Sequence, residues 1–287
     1  MQLRDTTVVV TGAAGGIGRA LATVFLDAGA RVALVDRDRD TLERTADELG
    51  ADGEVAAFAV DVRDRAALVE LEGEVAAALG PAAVVCANAG TIRPGTTWGH
   101  GEEDWDEVLA VNLGGVVGLL RAFLPRMIAR GRPAHVITIA SVGGIVPAPG
   151  MVSYAASKHA AVGVTETLAV ELAQAGHDHI GVTLVCPGGV ATPFWRHARD
   201  HVGDRTTDDV VAHERFTAAA ADDRDDQTSP EQLALLVRRA VEEGTFWVAP
   251  VQPALRDVVR ARHRAIEDAV ARTSDDLYPR TAGGGRP

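Results

Sequence analysis

The sequence predicts an α/β fold, a doubly wound parallel sheet of about seven strands with helices on both faces. Short runs rich in valine and alanine alternate with longer segments of helical periodicity, which is typical of such a sheet. Runs such as VVV and AVVC are apolar at every position, as expected when both faces of a sheet are buried. Strands are therefore expected at 6–11, 31–35, 55–60, 82–87, 134–140, 180–186 and 245–249, and helices at 16–28, 38–49, 64–79, 102–130, 152–175 and 230–243.

Composition and charge exclude several classes of protein. The chain has 287 residues, of which 47% are hydrophobic, and this is enough for one large core. A formal net charge of −12 argues against a nucleic-acid binder and against a surface that sits on anionic lipid. The N-terminus enters a strand-like run at once, and the longest uncharged apolar run, 108–120, contains Asn112 and three glycines. We therefore expect a soluble, cytoplasmic protein without nucleic-acid or membrane partners.

Glycines follow the first predicted strand and open the first predicted helix. The stretch from Thr11 to Gly18 reads TGAAGGIG. Glycine allows a tight turn and a close approach of the backbone to a pyrophosphate, and the free N–H groups at the start of a helix bind phosphate. The spacing differs from G-x-G-x-x-G, and an ordinary βα turn is the alternative. The order of strand, glycines and helix nevertheless predicts a dinucleotide site.

The second predicted strand ends at Asp36, 18 residues after Gly18. A carboxylate at this point can accept hydrogen bonds from the adenosine ribose and repels a 2′-phosphate, which favours NAD. Arg37 and Arg39 keep NADP open as the alternative, because an arginine nearby can accommodate the 2′-phosphate.

Two cysteines, Cys86 and Cys186, each lie at the end of a β-like run. A third strand separates theirs in the expected sheet, so their Cα atoms would lie about 9–10 Å apart. A disulfide reaches only about 7 Å. We therefore expect two buried free thiols.

Tyr154 and Lys158 lie four residues apart in a helical pattern, so their side chains share one face. Lys158 is the only lysine among 28 Lys and Arg residues. An ammonium beside a phenol favours the phenolate and lowers its pKa from the usual value of about 10. A compact ammonium can also hold ribose hydroxyls, a task for which the planar fork of arginine is a poor replacement. The pair predicts acid–base chemistry next to a ribose.

Two further polar residues, Ser141 and Asn112, are candidates for the same site. Ser141 ends the fifth predicted strand, thirteen residues before Tyr154, where its hydroxyl could hold a substrate oxygen or simply cap a turn. Asn112 interrupts an apolar helical pattern, which taken alone indicates a satisfied buried amide.

Together these residues resemble the short-chain dehydrogenase/reductase family, in its compact single-domain branch with a Rossmann-type fold, over about residues 4–250. The family motifs T-G-x-x-x-G-x-G, N-A-G and P-G-x-V-x-T match at residues 11–18, 88–90 and 187–192. One departure is Ala87, where the family usually has a second asparagine. The resemblance implies cofactor contacts at Thr11, Gly12, Gly15, Gly16, Ile17, Gly18, Asp36, Arg37, Asp61, Val62, Asn88, Ala89, Gly90, Tyr154, Lys158, Pro187, Gly188, Val190 and Thr192.

The resemblance also implies a catalytic tetrad of Asn112, Ser141, Tyr154 and Lys158 and reversible hydride transfer between a secondary alcohol and a ketone. Tyr154 would be the general acid and base, Ser141 would position the oxygen, and Asn112 would anchor a water that relays the proton. Three alternatives stay open: an NADPH-dependent ketoreductase of a biosynthetic pathway, a non-catalytic dinucleotide-sensing protein on the same fold, and epimerase or dehydratase chemistry. The last usually needs a larger substrate domain than the insertion at 193–229 provides.

The remaining expectations concern the substrate and the periphery. The polar insertion at 193–229 should be an active-site lid within a domain of residues 1–250. His197 and His201 have a metal-ligand spacing, but nothing nearby completes a site, so no metal is expected. A small-molecule substrate with a largely uncharged skeleton is expected from the apolar pocket residues Ile92, Val142, Met151, Gly189, Phe194 and Trp195.

A helical extension is expected after the domain, at 251–278, with a disordered tail at 279–287. Its apolar stripe, which includes Leu255, Val259 and Ile266, should pack on the body or on a neighbouring subunit. Helices 102–130 and 152–175 form the subunit interfaces in the family, which implies a homotetramer, with a dimer as the alternative.

Overall fold

The computed structural model of the chain describes residues 1–50, 54–194 and 227–277, the last four without their side chains. Most of the predicted lid, Trp195, both histidines of the possible metal pair and the predicted tail lie outside the described residues.

One parallel sheet of seven strands runs through the described residues in the order β3-β2-β1-β4-β5-β6-β7, which confirms the predicted fold class. The direction of strand addition reverses at β1: β2 lies on one side of it and β4 on the other. The carboxyl ends of the strands at such a switch point form a crevice for ligands. The strands are β1 (Thr7–Thr11), β2 (Arg31–Asp36), β3 (Val55–Ala59), β4 (Ala82–Ala87), β5 (Ala134–Ile139), β6 (Ile180–Val185) and β7 (Trp247–Val248).

Helices cover both faces of the sheet. They are α1 (Gly16–Asp27), α2 (Arg39–Leu49), α3 (Arg65–Leu79), α4 (Glu102–Leu109), α5 (Gly115–Arg130), α6 (Val152–Gln174), α7 (Pro230–Glu243) and α8 (Pro253–Leu277). Val8 and Val10 of β1 point to one face and pack in a core with α1 and α7, whereas Val9 packs in a second core with α3, α5 and α6. The strand is buried on both sides because successive side chains alternate between the faces.

Two helices begin one residue later than their apolar periodicity predicts. Asp38 and Asp64 are N-caps in extended backbone conformation. The carboxylate of Asp38 accepts a hydrogen bond from Thr41 N, and that of Asp64 accepts from Ala66 N and Ala67 N. A cap satisfies N–H groups that the first helical turn leaves without partners, so it fixes where the helix starts.

The predicted helix at 102–130 is continuous but changes its winding in the middle. A π-turn at Ala110–Gly114 separates α4 from α5. Among the described residues this is the one helix long and apolar enough to cross a membrane, and half of its most apolar window is buried inside the protein. Phe123 and Met127 of α5 lie in the core against β4 and β5. It is therefore a core helix of the fold.

The C-terminal region is helical, as predicted, and part of its apolar stripe is exposed in the single chain. The expected strand at 245–249 shortens to β7, and α8 extends over Pro253–Leu277. Val258, Ile266 and Val270 on its apolar stripe are 46%, 45% and 57% exposed, whereas Leu255 and Val259 are partly buried. Packing of the stripe on a neighbouring subunit stays a prediction.

The expectation for the two cysteines is confirmed. Both thiols are buried and free, and β5 lies between the strand of Cys86 and the strand that leads to Cys186.

Candidate active site

The turn after β1 requires glycine at two positions. Gly12 has a φ of +66°, and a Cβ there would lie 2.9 Å from Ala89 Cα. A Cβ on Gly18 would overlap the carbonyl oxygen of Gly12, because α1 begins directly against the turn. The close approach leaves the backbone at the start of α1 open toward the crevice, as phosphate binding by a helix N-terminus requires.

Thr11 and Asn88 join the carboxyl ends of β1 and β4. Thr11 Oγ1 accepts hydrogen bonds from Asn88 N at 3.0 Å and Ala89 N at 3.1 Å, and it donates to Cys86 O at 3.2 Å. Asn88 Nδ2 donates to Thr11 O at 2.8 Å and to Gly12 O at 3.2 Å. These two predicted cofactor residues thus hold the walls of the crevice at a fixed separation.

Asp36 lies at the outer end of the crevice with both carboxylate oxygens anchored. Oδ2 accepts from Ala14 N and Oδ1 accepts from Asp38 N, each at 3.1 Å. The side chain cannot rotate without losing these bonds, so its negative charge has a fixed position. The residue next to it, Arg37, also lines the crevice.

Asp61 occupies the neighbouring wall and forms an ion pair with Arg63. Arg63 Nη2 lies 2.6 Å from Asp61 Oδ2, and Arg63 Nε contacts both oxygens. The hydrogen bond from this guanidinium holds the pKa of the Asp61 carboxyl below its ordinary value. The next residue, Val62, is buried against Gly115 at the start of α5.

Tyr154 and Lys158 share one face of α6 at the opposite end of the crevice, as their spacing predicts. Lys158 Nζ lies 5.7 Å from the centroid of the Tyr154 ring and donates to Ile139 O at 2.9 Å. Ser141 follows β5 and forms a hydrogen bond with Tyr154. The same serine caps the short turn after it, since its Oγ accepts from Gly143 N at 3.0 Å. The turn-capping interpretation of Ser141 is therefore confirmed, and its role toward a substrate oxygen stays a prediction.

Burial dominates the ionisation of this pair. It raises the pKa of Tyr154 to about 12, while the hydrogen bond from Ser141 acts in the opposite direction. Burial likewise lowers the pKa of Lys158 to about 8. The predicted lowering of the tyrosine pKa by Lys158 is therefore wrong for this structure, because desolvation of the buried phenol raises that pKa. At neutral pH Tyr154 is a neutral proton donor and Lys158 is mostly charged.

Asn112 lies in the π-turn and is fully buried. Its Oδ1 accepts from Thr91 N at 2.8 Å, and its Nδ2 donates to Thr91 O and to Ser157 Oγ, both at 2.9 Å. Both amide hydrogens are thus committed within the protein. The asparagine joins the segment after β4 to α6, and its side-chain N–H groups have no capacity left to hold a water.

An apolar wall adjoins the phenol. Ile92, Met151 and Phe194 pack with Tyr154, and the ring centroids of Phe194 and Tyr154 are 6.0 Å apart. Of the predicted pocket residues, Val142, Met151 and Gly189 are not among those that line the cleft, and Trp195 lies outside the described residues.

Two residues that the sequence did not single out belong to this region. Arg93 lines the cleft, and its Nη2 lies 2.5 Å from a carboxylate oxygen of Glu107. Gln252 contacts the loop after β6 from behind. Neither residue belongs to a motif, and their partners are distant in sequence.

A single cleft of about 650 Å³ connects the two ends. One end of the cleft has the N–H groups at the start of α1 and the fixed carboxylate of Asp36, and the other end has Tyr154 and Lys158. This arrangement fits a dinucleotide and a small substrate. Within the described ranges no group of three His, Cys, Asp or Glu side chains could hold a metal ion. The predicted residues that line the cleft are Gly12, Gly15, Gly16, Ile17, Asp36, Arg37, Asp61, Val62, Asn88, Ala89, Gly90, Ile92, Ser141, Tyr154, Lys158, Pro187, Gly188, Val190, Thr192 and Phe194.

The chain is similar in sequence to known dehydrogenases. Residues 6–203 match the model of a family described as short chain dehydrogenase. The chain is 42% identical to 1-deoxy-11-beta-hydroxypentalenate dehydrogenase of Streptomyces exfoliatus, over 68% of this chain and 70% of that protein. It is 30% identical to the C alpha-dehydrogenase of Sphingobium sp., over 95% of this chain and 89% of that protein.

Solved structures show the same fold with a cofactor bound. A short chain dehydrogenase/reductase from Burkholderia phymatum in complex with NAD superposes with a TM-score of 0.87 and 32% identity, covering 94% of this chain and 96% of that one. A short chain dehydrogenase from Mycobacterium paratuberculosis bound to NAD gives a TM-score of 0.75 and 27% identity, covering 89% of this chain and 100% of that one.

Proposed function

The chain belongs to the short-chain dehydrogenase/reductase family, and we propose that it is an NAD-dependent dehydrogenase that interconverts a secondary alcohol and a ketone. Members of this family act on CH–OH groups with NAD(P). The observation that carries the proposal is that one cleft joins the anchored carboxylate of Asp36 to the cluster of Ser141, Tyr154 and Lys158.

Tyr154 is the proposed general acid and base. Bound NAD supplies the acceptor for hydride when the substrate is oxidised. In that direction only the deprotonated form of Tyr154 could accept the alcohol proton, so the phenol must first lose its own proton. In the reverse direction Tyr154 donates its proton to the carbonyl oxygen, a step that suits the neutral phenol that burial favours. General acid–base catalysis of this kind contributes about 10²–10⁴-fold.

Ser141 and Lys158 position the reacting groups. Ser141 lies beside the phenol, and its single O–H donor could turn to the substrate oxygen at the point where the proton is exchanged. Lys158 has three donors, and with one on Ile139 O the ammonium retains donors for ribose hydroxyls. Asn112 is assigned a positioning role, because its amide ties Thr91 to Ser157 on α6.

Asp36 is the residue that supports NAD over NADP. Its charge is fixed by Ala14 N and Asp38 N, so a 2′-phosphate on the adenosine ribose would meet a carboxylate that cannot turn away. Two structural relatives contain NAD. The rival proposal, an NADPH-dependent ketoreductase, draws on Arg37 at the same end of the cleft. The ratio of kcat/KM for the two cofactors decides between them, and a tenfold preference for NADP would overturn our assignment.

The apolar wall supports a substrate of medium size with an uncharged skeleton around the carbinol. Ile92, Met151 and Phe194 offer no polar side-chain atom beside the phenol, apart from the methionine sulfur. One relative is named as the dehydrogenase of a hydroxypentalenate, which supports a hydroxylated substrate. A screen of secondary alcohols with NAD, followed through the absorbance of NADH, would identify the class. A preference for charged sugar nucleotides would contradict it.

The Tyr154→Phe variant tests the reaction itself. Removing the hydroxyl should abolish turnover while the affinity for NAD, measured by calorimetry, stays within about threefold of the wild-type value. Retention of more than about a tenth of the wild-type kcat would contradict the acid–base role.

We assign the catalytic domain to residues 1–250, as the first unit of a soluble, cytoplasmic enzyme, and treat α8 as an extension of it. A homotetramer, or a dimer, formed through α5 and α6 is supported by a shallow apolar groove between these helices that includes Val117, Gly163 and Val164. Val170 of α6 is also exposed. Sedimentation velocity would report the assembly directly.

A further inference from the structure

Gln252 lies behind the loop that follows β6, in the segment between β7 and α8. Its side chain is buried, with only 5% of the residue exposed. Oε1 accepts a hydrogen bond from Gly189 N, and Nε2 donates to Gly189 O, both at 3.1 Å. One amide therefore satisfies the donor and the acceptor of a single residue, which fixes the two peptide planes that flank Gly189.

The loop is shaped around this side chain. A Cβ on Gly188 would overlap Gln252 Oε1, and a Cβ on Gly189 would lie 3.4 Å from Gln252 Nε2. The Gln252 side chain thus explains why the position directly after Pro187 is glycine, whereas a Cβ on Gly189 would make only an ordinary contact. The backbone on either side adds to the contact, since Gly188 N donates to Pro250 O at 2.9 Å and Thr228 N donates to Gly189 O at 3.1 Å.

We propose that Gln252 is a positioning residue for the nicotinamide end of the cofactor. The inference rests on the proposed function and on the family resemblance, which implies that residues 187–192 contact the nicotinamide end of the cofactor. Gln252 does not line the cleft, but Gly188, Val190 and Thr192 do. Gln252 fixes the peptide planes that flank Gly189. It thereby sets the direction in which the hydrogen-bond donors and acceptors of the following residues, Val190 and Thr192, face the cleft.

Alignment of this part of the cofactor decides the rate of hydride transfer. A small displacement of a reacting carbon lowers the rate strongly, because the barrier depends on a near-attack geometry. The adenosine end is held by other residues, around Gly12 and Asp36. Loss of Gln252 should therefore act on the nicotinamide end alone.

The pairing requires one donor and one acceptor at the end of a side chain of this length. Methionine has a similar length and fills the space without either group. A carboxylate retains the acceptor and loses the donor, whereas a protonated carboxyl group has both. The kcat of the Gln252→Glu variant should thus be low while the introduced carboxyl is ionised, and it should rise as that carboxyl becomes protonated.

The experiment compares Gln252→Met and Gln252→Glu with the control Arg256→Ala, whose exposed side chain lies one helical turn further along. Calorimetry gives Kd for NAD and for ADP-ribose, which lacks the nicotinamide. For Gln252→Met we expect Kd for NAD to rise about tenfold and kcat to fall about tenfold or more, with Kd for ADP-ribose within about twofold of the wild-type value. The control should match the wild type in all three quantities.

The pH profile provides a readout that a structural role alone would not change. The kcat of Gln252→Glu, divided by that of the wild type at the same pH, should rise as the pH falls, because protonation restores the donor to Gly189 O. A ratio independent of pH, or a parallel loss of NAD and ADP-ribose affinity, would overturn the assignment. If Gln252→Met fails to fold, this ratio alone decides. A wild-type protein that binds neither ligand would overturn the proposed function along with it.

Discussion

Raising the pH should leave Tyr154 protonated well beyond the point at which a free tyrosine ionises. Only 7% of the residue is exposed, and burial raises its pKa from 10.0 to about 12. A difference of two pH units corresponds to about 2.7 kcal/mol between the two protonation states. The hydrogen bond from Ser141 opposes the shift, so Ser141→Ala should raise the pKa further.

The sign of the accompanying change in stability follows from the same shift. The folded-state pKa lies above the unfolded value, so below pH 10 both states hold the proton and stability is unaffected by this group. Between pH 10 and about 12 the unfolded chain releases its proton first, and the free energy of unfolding falls as the pH rises. Lys158 acts in the opposite direction from pH 8 upward, since burial lowers its pKa from 10.5 to about 8.

The composition of the chain makes the titration simple to read. It has two tyrosines, Tyr154 and Tyr278, so the Tyr278→Phe variant reports Tyr154 alone through the near-ultraviolet absorbance of tyrosinate. Between pH 9 and 11 we expect at most about a tenth of this variant to carry tyrosinate while its circular dichroism remains that of the folded protein, with the main rise near the pKa of about 12. A rise centred at pH 10 or below in the folded protein would show that the charge of Lys158 outweighs burial, and would refute our account.

Three further predictions concern the cofactor site and its frame. Asp36→Asn keeps the shape but removes the charge, so the ratio of kcat/KM for NAD to that for NADP should fall about tenfold; an unchanged ratio would show that another residue selects the cofactor. Gly18→Ala places a methyl group on Gly12 O and should lower the melting temperature and weaken NAD binding at least about tenfold. The matched change Gly15→Ala meets no atom within 4 Å and should leave the melting temperature unchanged in the same scan. Asn112→Ala removes the partners of Thr91 N, Thr91 O and Ser157 Oγ, so urea denaturation should show a loss of about 2–4 kcal/mol; a loss below about 0.5 kcal/mol would contradict the structural role of this amide.

The strands and the residues that line the cleft can be predicted from the sequence, because apolar runs mark the strands and family motifs mark the cleft. Apolar runs located the seven strands, and the motifs located most residues that line the cleft. The helix starts at Asp38 and Asp64 were shifted by one residue because capping depends on backbone conformation rather than on periodicity.

What the sequence missed depends on burial and on long-range contacts. The spacing of Tyr154 and Lys158 predicts proximity, but the extent to which the surrounding core desolvates them appears only in the folded chain. Gln252 is 63 residues from its partner Gly189, and a lone glutamine before a helix has no motif to mark it.

Because of the π-turn at Ala110–Gly114, the side chains of α4 and those of α5 do not continue on the same faces of one regular helix. Each residue of an α-helix advances the next by about 100°, so the wider turn offsets the faces of α4 and α5 by the angle of one extra residue. Deleting Leu113 would restore even winding, and then either Asn112 would swing away from Thr91 or Phe123 and Met127 would rotate off the sheet. A deletion scan along Glu102–Arg130 should therefore find this turn intolerant of shortening, although most side chains within it can be exchanged.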